Sequence, residues 1–342
     1  MEIQELKNLI KSRELSDWYV LAGEEDYLKK YYLKEIRKAI VEDETFEVFN
    51  HAVFDGPSID FSALREAIIS PPMMSELKLV EWKYANINAM KGSEITALCE
   101  LMRLKSECPY TVFVIMPSAD GFDAGTPKKP SRLYTALSEG FKIITLNKSG
   151  NSQLASWIKK HFDAEGVYVD MPLINALIFR VGHSMEILNN EIIKLSSYAK
   201  QNGRSALSIE DVNEVSSPNI ESDAFALSNA ITEKNAKAAF VALNDLKSRK
   251  VEPNVIISML EKTYCDLISV SLMLSEGKSA DDIARIFKYH SYKVELYVAG
   301  CKKTSAKKLS DSLSKLRHLD AVSKSGGLNG YTPIEIFITQ NV

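Results

Sequence analysis

The chain has 342 residues, of which 45% are hydrophobic and 25% charged, and its formal net charge is -3. At roughly 150 residues per domain this predicts two or three domains, and the composition excludes collagen-like, disordered and disulfide-stapled classes. A slightly acidic whole excludes global attraction to nucleic acid and leaves only local basic faces for such a role.

Trp18 to Ala22 is a short apolar run ending at Gly23 and predicts a buried strand. Asp26 to Val41 carries Tyr27, Tyr31, Ile36 and Ile40 in a helical pattern. Phe46 to Phe54 predicts a second strand, closed by Asp55-Gly56, and Ile59 to Ser70 a helix with Phe61, Leu64 and Ile68 on one side. Leu77 to Trp82 is strand-like, Ser93 to Leu104 helical, and Thr111 to Met116 the clearest strand of all. Asp120 to Pro130 predicts a flexible, solvated loop, and Phe141 to Leu146 a last strand. Apolar strands alternating with helices imply a mainly parallel sheet covered on both faces, over residues 1–146.

Beyond Leu146 the strand signal stops, and Lys148 to Ser152 reads as a linker with a helix cap. The next helix aligns Leu154, Trp157, Ile158 and Phe162. Pro172 opens a helix that Gly182 stops, Ser184 caps another, and Ser208 with Asp211 forms a capping box before Pro218. Residues 147–218 are therefore a small helical domain. From 219 to 342 only helices are predicted: Phe225 to Ile231, Ala236 to Leu246, Pro253 to Leu274, one capped by Ser279 and Asp282, Ser305 to Val322, and one opened by Pro333. The fold class is α/β plus all-α.

Catalytic chemistry finds little support. Cys99, Cys108, Cys265 and Cys301 form no CxxC pair and read as free thiols of a reducing cytoplasm; no metal site is expected. No apolar run reaches the ~18 residues of a membrane span, and Met1 to Ser16 lacks a signal-peptide core. The location expected is cytoplasmic. His51, His161, His183, His290 and His318 are scattered and read as surface or packing residues. An α/β domain followed by a helical one suggests a nucleotide-binding ATPase, but the first strand runs into Gly23-Glu24-Glu25-Asp26, with no GK[ST] and with carboxylates where phosphates would lie. No cofactor is expected there, and the acids suit a first helical turn.

Two surfaces stand out. Ser70-Pro71-Pro72-Met73-Met74-Ser75-Glu76 joins a helix to a strand. On residue chemistry alone Met73 and Met74 are core residues or an adaptable docking surface, with packing favoured. From Gly300 to Lys324, seven basic residues (Lys302, Lys303, Lys307, Lys308, Lys315, Arg317 and Lys324) face two acids. They are a solvated helix face or a surface for DNA or an acidic partner.

The ordered motifs resemble one family. Gly23-Glu24-Glu25 with Tyr27-Leu28 is followed by Phe54-Asp55-Gly56, then by Pro72-Met73-Met74-Ser75-Glu76 leading into Leu79-Val80. Trp157-Ile158 and Asn190-Glu191 with Lys194-Leu195 complete the set. The chain resembles the delta subunits of the bacterial DNA polymerase III clamp loader, over essentially its whole length. The resemblance implies an AAA+-like clamp-binding domain, a helical lid and a helical collar that oligomerises. It implies a non-catalytic subunit of a polymerase holoenzyme that binds and opens the sliding clamp (the beta subunit) without hydrolysing ATP. The other implied partners are the gamma/tau and delta prime subunits and primed DNA, with no membrane. The clamp-binding pair would be Met73 and Met74, flanked by Pro72, Ser75 and Glu76; many members carry Leu or Phe there. Two alternatives stand beside it: an active AAA+ ATPase of a replication or repair complex with a diverged phosphate loop, and another α/β enzyme with a helical extension.

Overall fold

The computed structural model describes residues 1–41, 44–126, 129–289 and 291–342. His290, read above as a surface or packing residue, and Pro127 and Lys128 of the expected loop lie outside the described residues. The chain divides into two units, Met1–Ser149 and Gly150–Val342.

In the first unit the elements run α1 (Ile3–Ser12), β1 (Tyr19–Ala22), α2 (Asp26–Ile40), α3 (Glu47–Asn50), β2 (His51–Asp55), α4 (Phe61–Ile69), β3 (Lys78–Ala85), α5 (Gly92–Arg103), β4 (Thr111–Pro117), β5 (Gly125–Thr126), β6 (Lys129–Pro130), α6 (Arg132–Ser138) and β7 (Lys142–Thr145). Five strands form one sheet in the order β2-β3-β4-β1-β7, and every pairing in it is parallel. This is the parallel sheet, covered on both faces, that the strand and helix alternation predicts. Because side chains alternate across a strand, the apolar runs feed two cores. Val20, Val80, Trp82, Phe113, Ile115 and Ile143 pack under α4, α5 and α6, with Leu64, Leu98 and Leu137. Tyr19, Leu21, Leu79, Val112, Val114 and Ile144 pack on the other face, with Leu6 of α1 and Leu33 and Ile36 of α2.

Three expectations need correction. The strand expected over Phe46 to Phe54 begins only at His51; Glu44–Phe46 is a 3-10 turn and Glu47–Asn50 is helical. The reason is pairing. β2 bonds only to β3, starting with His51 opposite Leu79, and β3 itself starts at Lys78. Residues before His51 have no strand beside them, and a helical turn satisfies their backbone internally. The solvated loop over Asp120 to Pro130 is also partly wrong. Gly121 and Phe122 are buried, and β5 pairs antiparallel with β6. Finally α1 and α6 go beyond the helices read from sequence; both are short, and each sends a leucine, Leu6 or Leu137, into a core.

The second unit is helical: α7 (Asn151–Ala164), α8 (Met171–Val181), α9 (Met185–Gln201), α10 (Ile209–Val215), α11 (Ile220–Thr232), α12 (Ala236–Ser248), α13 (Pro253–Ser275), α14 (Ala280–Phe287), α15 (Ser291–Cys301), α16 (Ala306–Lys324) and α17 (Thr332–Asn341). The predicted caps are present except the one expected within Lys148 to Ser152, where the residue before α7 is Gly150, which has no side chain to accept a hydrogen bond. Ser208 with Asp211 and Ser279 with Asp282 form capping boxes, and Gly182 ends α8 at φ +102°. From α11 onward one core holds Leu243, Leu260, Tyr264, Leu316 and Phe337. Among the described residues no helix is long and apolar enough to cross a membrane.

Candidate functional site

The Pro-Pro-Met-Met segment is a turn held from beneath. Asp60 caps α4 by accepting a hydrogen bond from the Ser62 amide at 2.9 Å, and the helix stops at Ile69 because prolines follow at 71 and 72. The end of an α-helix leaves carbonyls without intrahelical donors, and here side chains supply them. Thr111 Oγ1 donates to the Ile68 carbonyl at 2.8 Å and Tyr110 OH to that of Ile69 at 2.6 Å. Lys78 Nζ donates to the Ala67 carbonyl and to Ser70 Oγ. Lys78 is buried, and that desolvation pushes its pKa down to about 8.

Beyond the prolines the chain turns sharply. Asn50 Oδ1 accepts from the Met73 amide at 2.7 Å, and Asn50 Nδ2 donates to the Met73 carbonyl at 2.8 Å. Met74 adopts a left-handed φ of +55°, and Ser75 Oγ closes the turn on the Leu77 carbonyl at 2.9 Å. Neither methionine is a core residue: Met73 is 47% and Met74 83% exposed. Pro72 is half-buried, Ser75 and Glu76 are exposed, and two further apolar residues, Val48 and Phe49, stand exposed on α3 beside Asn50. A polar chain anchors α3. Arg37 pairs with Glu47; His51 lies 3.2 Å from Glu47 and 3.0 Å from Glu81; Lys83 lies 2.9 Å from Glu81. Burial pushes the Glu81 carboxyl up, but hydrogen bonds from His51 and Lys83 outweigh it and hold the group below the usual range.

Gly23, Glu24 and Glu25 sit at the carboxyl end of β1, where an open α/β sheet places ligands. A cleft of about 400 Å³ opens there, lined by Glu24, Asp120 and Asp123 among others and, among the described residues, by no basic side chain. Gly23 has φ +107°, and a Cβ on it would lie 2.3 Å from the Leu146 carbonyl oxygen. The glycine is thus required by the close approach of β7's exit. One of the turn's donors is committed as well, since the Glu25 amide donates to that same carbonyl at 2.9 Å. A lysine the sequence reading missed, Lys29, is fully buried three residues into α2; its Nζ donates to the Pro117 carbonyl at 2.9 Å and pairs with Asp26.

The basic residues of the third region are all exposed, yet they do not form one stripe. Lys302 and Lys303 follow α15, and Lys303 pairs with Glu233. On α16, Lys308 and Lys315 share a flank, seven residues apart, whereas Arg317 lies about half a turn away from Lys308. Lys315 Nζ donates to the Gln340 carbonyl at 3.2 Å on α17, while Arg317 points to Cys265 of α13. Lys307 and Lys308 occupy the first turn of the helix. His161 stacks on Trp157 and His318 is exposed, the surface and packing roles expected; no metal-binding cluster occurs among the described residues.

Asn50 is the functional candidate that sequence reading missed. Its partner is 23 residues away, so no local spacing reveals it.

Comparison with known proteins now adds to this geometry. A family model described as DNA polymerase III, delta subunit, matches residues 19–123, and one described as the C-terminal domain of that subunit matches residues 221–341. The DNA polymerase III subunit delta of Bacillus subtilis is 23% identical over 338 residues, covering 97% of this chain and 94% of the relative. The solved Bacillus subtilis DNA clamp loader delta protein superimposes with a TM-score of 0.57 at 22% identity, covering 98% of both chains.

Proposed function

The chain belongs to the DNA polymerase III delta-subunit family, and on that premise we propose that it is the clamp-loader subunit that binds and opens the sliding clamp for loading onto primed DNA, with no ATP hydrolysis of its own. It is a component of a polymerase holoenzyme that contributes no catalytic residue. The observation that carries this reading is the Met73-Met74 turn: two apolar side chains exposed on a backbone fixed by Asn50 and rimmed by Ser75 and Glu76. A small apolar anchor with a polar rim suits a partner's hydrophobic pocket. Val48 and Phe49 widen the apolar surface beside it. Opening the ring then follows from linkage, because the chain shifts the clamp toward the open form only by binding that form better.

The absence of hydrolysis is supported by an acidic cleft, a Gly23 that serves backbone packing and a Lys29 turned away into a carbonyl. In this reading residues 1–146 bind the clamp, 147–218 form the lid, and 219–342 form the collar that meets the gamma/tau and delta prime subunits in the cytoplasm. The exposed lysines of the collar, Lys302, Lys307 and Lys308, face DNA or an acidic partner in the assembled loader.

Purified protein should bind the cognate clamp and release clamps from circular DNA without nucleotide, and should show no phosphate release above background. No clamp binding, or hydrolysis that disappears when the Gly23 turn is altered, overturns the proposal.

A further inference from the structure

We propose that Asn50 is the positioning residue of the docking turn, acting through Met73 and Met74; this rests on the docking reading given above. Asn50 is 4% exposed, and both ends of its amide are used on one residue. The oxygen accepts from the Met73 N–H and the nitrogen donates to the Met73 carbonyl, which is the pairing an adjacent strand would make. Among side chains of this length only an amide can do both: a carboxylate has no donor and leucine has neither group.

The turn needs such an outside tie. Pro71 and Pro72 carry no N–H, so Met73 offers the first main-chain donor after Ser70. The next residue, Met74, holds a φ of +55° that a side chain with a Cβ does not favour. Local sequence alone would let Met74 relax, whereas pinning Met73 on both sides keeps it turned outward. Asn50 can do this because α3 is itself tied down: Glu47, three residues earlier, pairs with Arg37 and His51, and His51 rests on the buried Glu81. The sheet therefore orders the turn before any partner arrives, which lowers the ordering cost of docking.

The test uses the full chain and the cognate sliding clamp. Asn50→Leu keeps the volume and removes both hydrogen bonds. Hydrogen exchange at the Met73 amide should quicken on the order of tenfold, while the β3 amides of Leu79 to Trp82 stay protected. Clamp affinity should fall roughly threefold to tenfold. In the Met73→Ala, Met74→Ala background the same change should cost no further affinity, because Asn50 acts only through those side chains. Unchanged exchange at Met73 overturns the proposal, as do affinity losses that simply add. If Asn50→Leu also loosens β3, Asn50→Asp is read instead: it retains the acceptor, loses the donor and should free the turn alone, and protection equal to wild type overturns the proposal. Full clamp binding by the methionine double variant overturns the docking reading, and the exchange at Met73 then decides by itself whether Asn50 holds the turn.

Discussion

Replacing Met73 and Met74 together with alanine separates docking from packing. Met73 is 47% and Met74 83% exposed in the free chain. Folding buries little of Met74, whose truncation should stay within about 0.5 kcal/mol, and about half of Met73, worth roughly 0.8–1.6 kcal/mol. A methionine truncated inside a packed core costs roughly 2–5 kcal/mol. The strain at Met74 cancels, because alanine also carries a Cβ. The loss on docking is greater than the loss on folding. Fully burying a methionine gains about 1.5–3 kcal/mol, and about half of one side chain and four-fifths of the other remain to be buried. The pair is then worth roughly 2–4 kcal/mol on docking, or on the order of thirtyfold to several hundredfold in clamp affinity. Urea unfolding and clamp titration on the same variant make the measurement. Unfolding free energy within about 2 kcal/mol of wild type, with affinity lost, is the expected result. Several kcal/mol of lost stability with normal clamp binding by the folded fraction would refute the reasoning.

Three further outcomes follow from other parts of the structure. Gly23→Ala meets the Leu146 carbonyl and keeps φ +107°, so it should cost at least about 2 kcal/mol of stability; unfolding at the wild-type midpoint would refute the packing role. Lys78, with a folded pKa near 8, binds fewer protons folded than unfolded between about pH 8 and the unfolded lysine value of ~10.4. Its contribution therefore makes stability climb as pH rises through that window, and Lys78→Met should flatten the climb; parallel curves for the two proteins would show the lysine to be unperturbed. Reversing Lys302, Lys307 and Lys308 to glutamate should leave unfolding within about 0.5 kcal/mol, and in the assembled loader it should weaken DNA binding and its salt dependence. Unchanged assembly and unchanged DNA binding would mark these lysines as a solvated face.

Much of the fold is written locally. The strands at Trp18 to Ala22 and Thr111 to Met116 are apolar without interruption because both faces of the sheet are covered, and that pattern survives in any context. The helices of the second unit announce themselves through caps such as Ser184, Ser208 and Ser279, whose hydroxyls bond to amides three residues on. The carboxylates at Glu24 to Asp26, and the missing phosphate-loop lysine, are likewise legible residue by residue. What sequence could not decide depends on neighbours far along the chain. Phe46 to Asn50 has strand-like residues but no strand to pair with, since β3 starts at Lys78. Gly23 is a glycine because β7 returns against it, 123 residues later. Met73 and Met74 look equally apt for a core or a surface by composition, since methionine packs well in either. Their exposure is set by Asn50, Lys78, Tyr110 and Thr111, which come from three separate segments and meet only when the sheet is assembled. Hydrophobic periodicity reports which residues must be buried within an element, but the side-chain bonds that fix a turn between elements exist only once tertiary packing brings their partners within about 3 Å.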